Sequence, residues 1–232
     1  MRAQDVMTSP PITVGPDTPV IEIARLLVER GISAVPVVDA SGRAVGIVSE
    51  GDLLRRSEIG TERPRSQWLE LLLDRSVQAA DFSKAHGQFA RDVMTRDVIS
   101  VSPDTGLGEI AQILEQRRIK RVPVVRDGVP IGIVSRANLL RGLVASARQP
   151  SSPPAGGGDL ALRSALENRL RDEAWIDLSR LNIVVSDGVV HLWGLVRSEE
   201  QRRALRVAAE GTSGVREVVD HLSRDWFPGS TG

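Results

Sequence analysis

Cysteine is absent from the 232 residues, which excludes disulfides, thiolate metal sites and cysteine nucleophiles. Tyrosine is absent too, and aromatic side chains make up 3% of the chain, too few for a platform on which nucleic-acid bases would stack. The 30 basic and 30 acidic side chains cancel, so no overall positive field draws the molecule to a polyanion. No apolar run approaches the roughly eighteen residues of a membrane-spanning helix, and the first residues, MRAQDVMTSP, lack the apolar core of a secretion signal. Catalytic signatures are missing as well: there is no nucleophile elbow, no Walker sequence and no H-E-x-x-H. His86, His191 and His221 are widely separated. These absences lead us to expect a cytoplasmic, non-enzymatic protein with no metal, no redox cofactor and no nucleic-acid partner. What is present is a 41% hydrophobic content, enough to bury two or three small cores.

An internal repeat organises the first two thirds. Asp5-Val6-Met7-Thr8 returns 87 positions on as Asp92-Val93-Met94-Thr95, and Pro16-Asp17-Thr18 returns as Pro103-Asp104-Thr105. Val35-Pro36-Val37-Val38 matches Val122-Pro123-Val124-Val125, Gly46-Ile47-Val48-Ser49 matches Gly132-Ile133-Val134-Ser135, and Asp52-Leu53-Leu54-Arg55 matches Asn138-Leu139-Leu140-Arg141. Each copy is expected to form a short strand, a helix, two strands and a second helix. In the first copy Thr18 is the expected cap, with Ile21, Ala24, Leu27 and Val28 as the helical apolar face. Gly31 is expected to end that helix, and Asp39 to Gly42 is turn chemistry. Gly106-Leu107-Gly108 superficially suggests a phosphate loop, but its repeat partner Pro19-Val20-Ile21 sits in an ordinary helix start.

The chemically interesting feature is Gly-hydrophobic-hydrophobic-Ser-x-x-Asp/Asn, where a strand turns into a helix. A helix's first N–H groups lack intrahelical partners and favour anions, so a phosphate near Ser49 or Ser135 would meet main-chain donors and a hydroxyl. Asp52 or Asn138, three residues on, could accept from two ribose hydroxyls. The same residues also make an ordinary helix cap. The copies differ in charge: Ile32-Ser33-Ala34 in the first becomes Ile119-Lys120-Arg121 in the second. With Arg117, Arg118 and Arg136 nearby, the second site is the more cationic, and it is expected to bind phosphates more tightly.

The order of these motifs resembles a tandem pair of cystathionine-β-synthase (CBS) domains. The resemblance implies an adenine nucleotide (AMP, ADP or ATP) as regulatory ligand. Carried over by position, Thr13 and Ser100 would touch the nucleotide. Val35 and Val122, beside Pro36 and Pro123, would help wall the base pocket, and Lys120 and Arg121 would contact phosphates. Asn138 departs from the commoner acidic residue. Similar pairs form disc-like homodimers, so a homodimer is expected.

Residues 149–158, QPSSPPAGGG, read as a flexible linker. Beyond it, Leu162, Leu166 and Leu170 share a helix face. Asp187-Gly188 joins two apolar runs as a hairpin, Ser198-Glu199-Glu200-Gln201 is a capping box, and Val215 to Leu222 is a last strand. This segment resembles a BON domain, for which the resemblance implies phospholipid or envelope contact and a mid-strand glycine, Gly194, where a helix packs closely. Its ten arginines against twelve acids leave no basic patch for an anionic membrane. Val189, His191 and Trp193 form either a contact surface or a face packed on the CBS pair.

The expected class is therefore α/β (α+β): a pseudo-two-fold CBS pair of βαββα motifs followed by a small αββαβ BON domain. The expected boundaries are 1–57 for the first motif, 58–91 for a helical insert, 92–145 for the second motif, 146–158 for the linker, 159–225 for the BON domain and 226–232 for a tail. The expected function is a nucleotide sensor that signals through the BON domain. The alternative is a membrane or envelope adaptor, with the CBS pair as a dimerisation scaffold.

Overall fold

The computed structural model describes residues 1–54, 83–147 and 158–224. Most of the expected 58–91 insert, the linker stretch 148–157 and the tail lie outside the described residues. The chain divides into two compact units, one of them Pro11–Ile99 with Asp127–Pro130, the other Met1–Pro10 with Ser100–Arg126 and the residues from Ile131 on.

In the unit built on the first repeat, helix α2 (Val20–Arg30) follows a single parallel bridge between Val14 and Val37 and leads into an antiparallel pair, β1 (Ala34–Val38) and β2 (Ala44–Ser49). Val20, Ile23 and Leu27 form the buried stripe, spaced to fall on one side of a helix. The expected face was offset: Ile21 and Val28 are 64% and 82% exposed. Nor does Thr18 cap the helix. Its hydroxyl accepts from Gly15 N at 3.1 Å, and Pro19 takes the cap position. Gly31 ends α2 with a left-handed φ of 62°, as expected. After β2 comes helix α3 (Glu50–Leu53).

The second repeat reproduces the pattern with helix α5 (Leu107–Gln116), strands β3 (Arg121–Arg126) and β4 (Val129–Ser135), and helix α6 (Arg136–Ser146). Its counterpart of Gly31 is Arg118, which adopts φ 53° in the same left-handed region.

Two short helices not anticipated from the sequence, α1 (Ala3–Val6) and α4 (Ala90–Val93), coincide with the repeated Asp-Val-Met-Thr segments. Each packs on the other repeat's motif. Thr95 pairs with Ile47, and a Cβ on Gly46 would lie 2.4 Å from Met94 Sδ. Thr8 pairs with Ile133, and a Cβ on Gly132 would lie 2.4 Å from Met7 Sδ. A glycine at each of these strand positions admits the methionine of the opposite segment.

The C-terminal domain shows the expected order: helix α7 (Gly158–Arg171), a 3-10 turn (Leu178–Arg180), β5 (Leu181–Ser186), β6 (Val189–Val196), helix α8 (Glu199–Glu210) and β7 (Glu217–Arg224). The sheet order is β5-β6-β7, antiparallel then parallel. Leu166 and Leu170, and Leu205, Ala208 and Ala209, bring the two helices onto one core. Asp187 and Gly188 have φ values of 51° and 73°, the two positive angles a type I′ hairpin requires. The Asp159 carboxylate accepts from both of their amides, at 2.8 and 2.9 Å.

Two local expectations are corrected here. Ser198 Oγ does accept from Gln201 N at 3.2 Å, but the Gln201 side chain reaches back to Arg197 N rather than to the cap residue, while its amide donates to the Trp175 carbonyl. Gly194 admits backbone rather than a helix: a Cβ there would sit 2.3 Å from the Arg180 carbonyl oxygen, at φ 146°. Gly194→Ala combines that clash with a backbone angle costing about 1–3 kcal/mol for other residues. It should lower the urea midpoint of the C-terminal domain; an unchanged midpoint would refute the close approach.

Candidate functional site

The two strand-to-helix corners repeat one geometry. At the first, the Ser49 amide and hydroxyl donate to Asp52 Oδ2 at 3.0 and 2.7 Å. At the second, the Ser135 amide and hydroxyl donate to Asn138 Oδ1 at 2.8 and 2.6 Å, and the hydroxyl accepts from Asn138 N at 3.4 Å. The next amide is also engaged in both: Glu50 N donates to the Ser33 carbonyl at 3.0 Å, and Arg136 N to the Lys120 carbonyl at 3.3 Å. At each corner two main-chain donors expected to face an anion are therefore turned inward, one into the helix cap and one onto the carbonyl of residue 33 or 120.

The corners differ in what else holds the acid or amide. Asp52, with its side chain 11% exposed, accepts at its other oxygen from Lys84 Nζ at 2.6 Å. Lys84 belongs to the segment expected as the helical insert, 58–91. Asn138 is 2% exposed, and its Nδ2 donates to the Val6 carbonyl at 2.9 Å and to Thr8 Oγ1 at 3.3 Å. Both faces of its amide are thus engaged.

The remaining candidates fall into two sets. Thr13, Ser100, Lys120 and Arg136 are exposed, and Arg121 is half-buried. Val35 and Val122 are wholly buried, Val35 within its motif's core. The carbonyls of Pro36 and Pro123 accept from Val14 N and Val101 N at 3.1 and 3.0 Å. The valines and prolines thus shape the sheet on which the polar candidates stand. The charge contrast extends one residue beyond the sequence comparison: where the first corner carries Glu50 before Asp52, the second carries Arg136 before Asn138, beside Lys120 and Arg121.

A second polar cluster lies where the C-terminal domain meets the first residues of the chain. Arg163, 3% exposed, donates to Glu167 Oε1 at 2.8 Å, to the Gln4 carbonyl at 2.6 Å and to the Met7 carbonyl at 2.5 Å. Asn182, 2% exposed, donates to the carbonyls of Val6 and Met7 at 2.8 and 3.1 Å. Neither was singled out from sequence. Asn182 does leave a trace there, as the polar interruption of the apolar strand Leu181–Ser186. The face bearing His191 and Trp193 is packed rather than open. His191 is 2% exposed, Trp193 stacks on His221 with centroids 3.7 Å apart, and the Arg141 guanidinium, its pKa lowered by burial, lies 5.7 Å over the Trp193 ring. Among the described residues no group of His, Cys, Asp and Glu could hold a metal ion.

The CBS domain model matches residues 3–58 and 90–145, and the BON domain model residues 158–224. An uncharacterized protein of Methanocaldococcus jannaschii is 34% identical over 155 residues, 62% of this chain and 92% of that protein. The chloroplastic CBS domain-containing protein CBSX1 of Arabidopsis thaliana is 36% identical over 138 residues, 55% of this chain and 57% of the plant protein. The chain thus spans little more than half of that relative's length. Among solved structures, CBSX2 in complex with AMP superposes with a TM-score of 0.56 at 31% identity, covering 63% of this chain and 99% of that one.

The filled hydrogen-bonding of Asn138 makes a prediction about substitution. Asn138→Asp keeps the acceptor that caps α6 but replaces the donor to Val6 with an oxygen, in a buried position. Losing that bond and setting a carboxylate against a carbonyl should destabilise the protein by about 1–3 kcal/mol at neutral pH. Urea denaturation checks it; stability equal to the parent would mean that Asn138 does not bridge to Val6.

Proposed function

Because the chain belongs to the CBS-domain family, carrying a CBS pair followed by a BON domain, we propose that it is a regulatory protein binding an adenine nucleotide at the CBS motifs. The observation that carries this is its likeness to CBSX2, a protein crystallised with AMP. The charge distribution supports a division of labour. Lys120, Arg121 and Arg136 gather positive side chains around the second corner, and guanidinium and ammonium groups bind phosphate through charge-assisted hydrogen bonds. Because the first amides of each helix start are engaged, these side chains rather than the backbone carry the phosphates, with Ser100 and Ser135 adding hydroxyls and Asn138 turning to the ribose. At the first corner Thr13, Ser49 and Asp52 are the matching polar groups, and Asp52 is the group suited to a ribose diol.

Ligand binding acts as a population shift, favouring the arrangement of the CBS motifs that binds best, and the BON domain is the output. The protein works in the cytoplasm as a homodimer. Ile21 and Val28 on α2, and Leu140, Leu143 and Val144 on α6, leave apolar side chains exposed for a second copy. A phospholipid adaptor is less favoured, since the face carrying His191 and Trp193 is covered by Arg141.

Isothermal titration of the full chain with AMP, ADP, ATP and S-adenosylmethionine tests the reading. At a hundredfold excess over Kd, the cognate nucleotide should add about 2.7 kcal/mol of stability, visible as a rise in Tm. Silence with all four overturns it. Arg121→Ala should weaken nucleotide binding by about 1–3 kcal/mol. An unchanged Kd would remove Arg121 from the site.

A further inference from the structure

We propose that Asn182 of the BON domain is a positioning residue for the second nucleotide corner, acting on Asn138 through the carbonyl of Val6 that the two side chains share; the inference rests on Asn138 being a ligand group. The Val6 oxygen accepts from Asn138 Nδ2 at 2.9 Å and from Asn182 Nδ2 at 2.8 Å. One carbonyl has two lone pairs, and here each is taken by an amide from a different domain.

The placement of Asn182 argues for a role beyond packing. It sits 2% exposed in a strand whose other buried members are Leu181, Ile183, Val184 and Val185. Its own Oδ1 is buried with no hydrogen-bond partner among the described residues. A buried unsatisfied acceptor is costly, and an apolar residue would avoid it. The side chain is therefore held for its donors, which bind the carbonyls of Val6 and Met7. Arg163 grips the same segment at Gln4 and Met7.

The consequence follows from the hydrogen-bond inventory. For Asn138 to turn toward a ribose it must release Val6 and Thr8, because its Nδ2 has no spare donor. Thr8 is half-buried and its hydroxyl can turn to a new partner, whereas the Val6 carbonyl belongs to a fully buried residue. With Asn182 in place that carbonyl keeps a donor; without it, ligand binding would leave a buried acceptor unsatisfied. Asn182 thus lowers the cost of freeing Asn138. By reciprocity a nucleotide that draws Asn138 away must tighten the hold of Asn182 on Val6 by the same free energy. The BON domain is then more firmly docked when the second corner is filled.

The test uses AMP and the full chain. Asn182→Leu, which fits the apolar strand and removes the donor, should raise the AMP Kd by about five-fold or more, the effect of leaving one buried carbonyl without its donor. Ile183→Val perturbs the hydrophobic core beside Asn182 on the same strand without touching Val6 and should leave the Kd within about two-fold, a split that a merely structural role for Asn182 would not give. In the wild type, saturating AMP should slow amide hydrogen exchange across residues 159–224, and Asn182→Leu should abolish that slowing. Equal AMP affinity in wild type and Asn182→Leu overturns the inference while leaving the nucleotide site standing. No AMP binding by the wild type overturns both. If Asn182→Leu does not fold, the wild-type exchange measurement decides: unchanged protection of 159–224 under saturating AMP overturns the inference.

Discussion

A helix of four residues cannot satisfy its own carbonyls, and the helix Ala3–Val6 is completed by side chains that lie far away in sequence. Its last carbonyls and that of Met7 accept from Asn138, Asn182 and Arg163. Those three come from a CBS helix, a BON strand and a BON helix, so the backbone polarity of one short segment ties two domains together. The tie is specific because it is buried. Arg163 is 3% exposed, with Glu167 supplying the opposite charge and two carbonyls filling its remaining geometry. Removing one member of such a buried set leaves a desolvated charge or carbonyl with nothing to replace water. The Met7 side chain beside this segment, lying over Gly132 where no Cβ fits, fixes its height on the sheet.

Duplication has kept the backbone and changed the charge. Ser49 with Asp52 and Ser135 with Asn138 make the same reciprocal cap within a few tenths of an ångström. The corner's shape is thus set by helix capping. What differs is the surrounding side chains: Glu50, Asp52 and Lys84 around one corner, Arg136, Asn138, Lys120 and Arg121 around the other. Whatever each corner recognises is written in those side chains.

Much of this was legible before any coordinates. The repeat, the hairpin at Asp187-Gly188 and the Leu162, Leu166, Leu170 face are local or periodic signals, and periodicity survives in sequence. The failures share a cause. Thr18 looked like a cap because threonine before a helix commonly is one, but Gly15 N competed for its hydroxyl. Ile21 and Val28 fit a helical face as well as Ile23 does, and only the packing direction of α2 decides which stripe is buried. That Met7 serves the second motif and Met94 the first is a long-range exchange with no local trace. Lys84 and Asn182 acquire meaning only from partners 32 and 176 residues away.

The capping geometry also decides what kind of chemistry each corner can add. Asn138 offers one oxygen and one NH2 group; the oxygen already serves the Ser135 amide and hydroxyl, and both N–H bonds are engaged. A new partner there must displace an old one, so little net affinity can come from the amide itself. The gain has to come from the cations nearby, of which Lys120 and Arg136 stand exposed. Asp52 is different. A carboxylate has about four lone-pair sites, and the three donors it holds are Ser49's amide and hydroxyl and Lys84. It can take a hydroxyl without giving up its cap, and an exchange with Lys84 would return a lysine to water rather than strand a buried carbonyl. One motif, used twice, thereby offers a ready sugar contact at the first corner and, at the second, one that must first be released from its buried partners beside a cationic phosphate site.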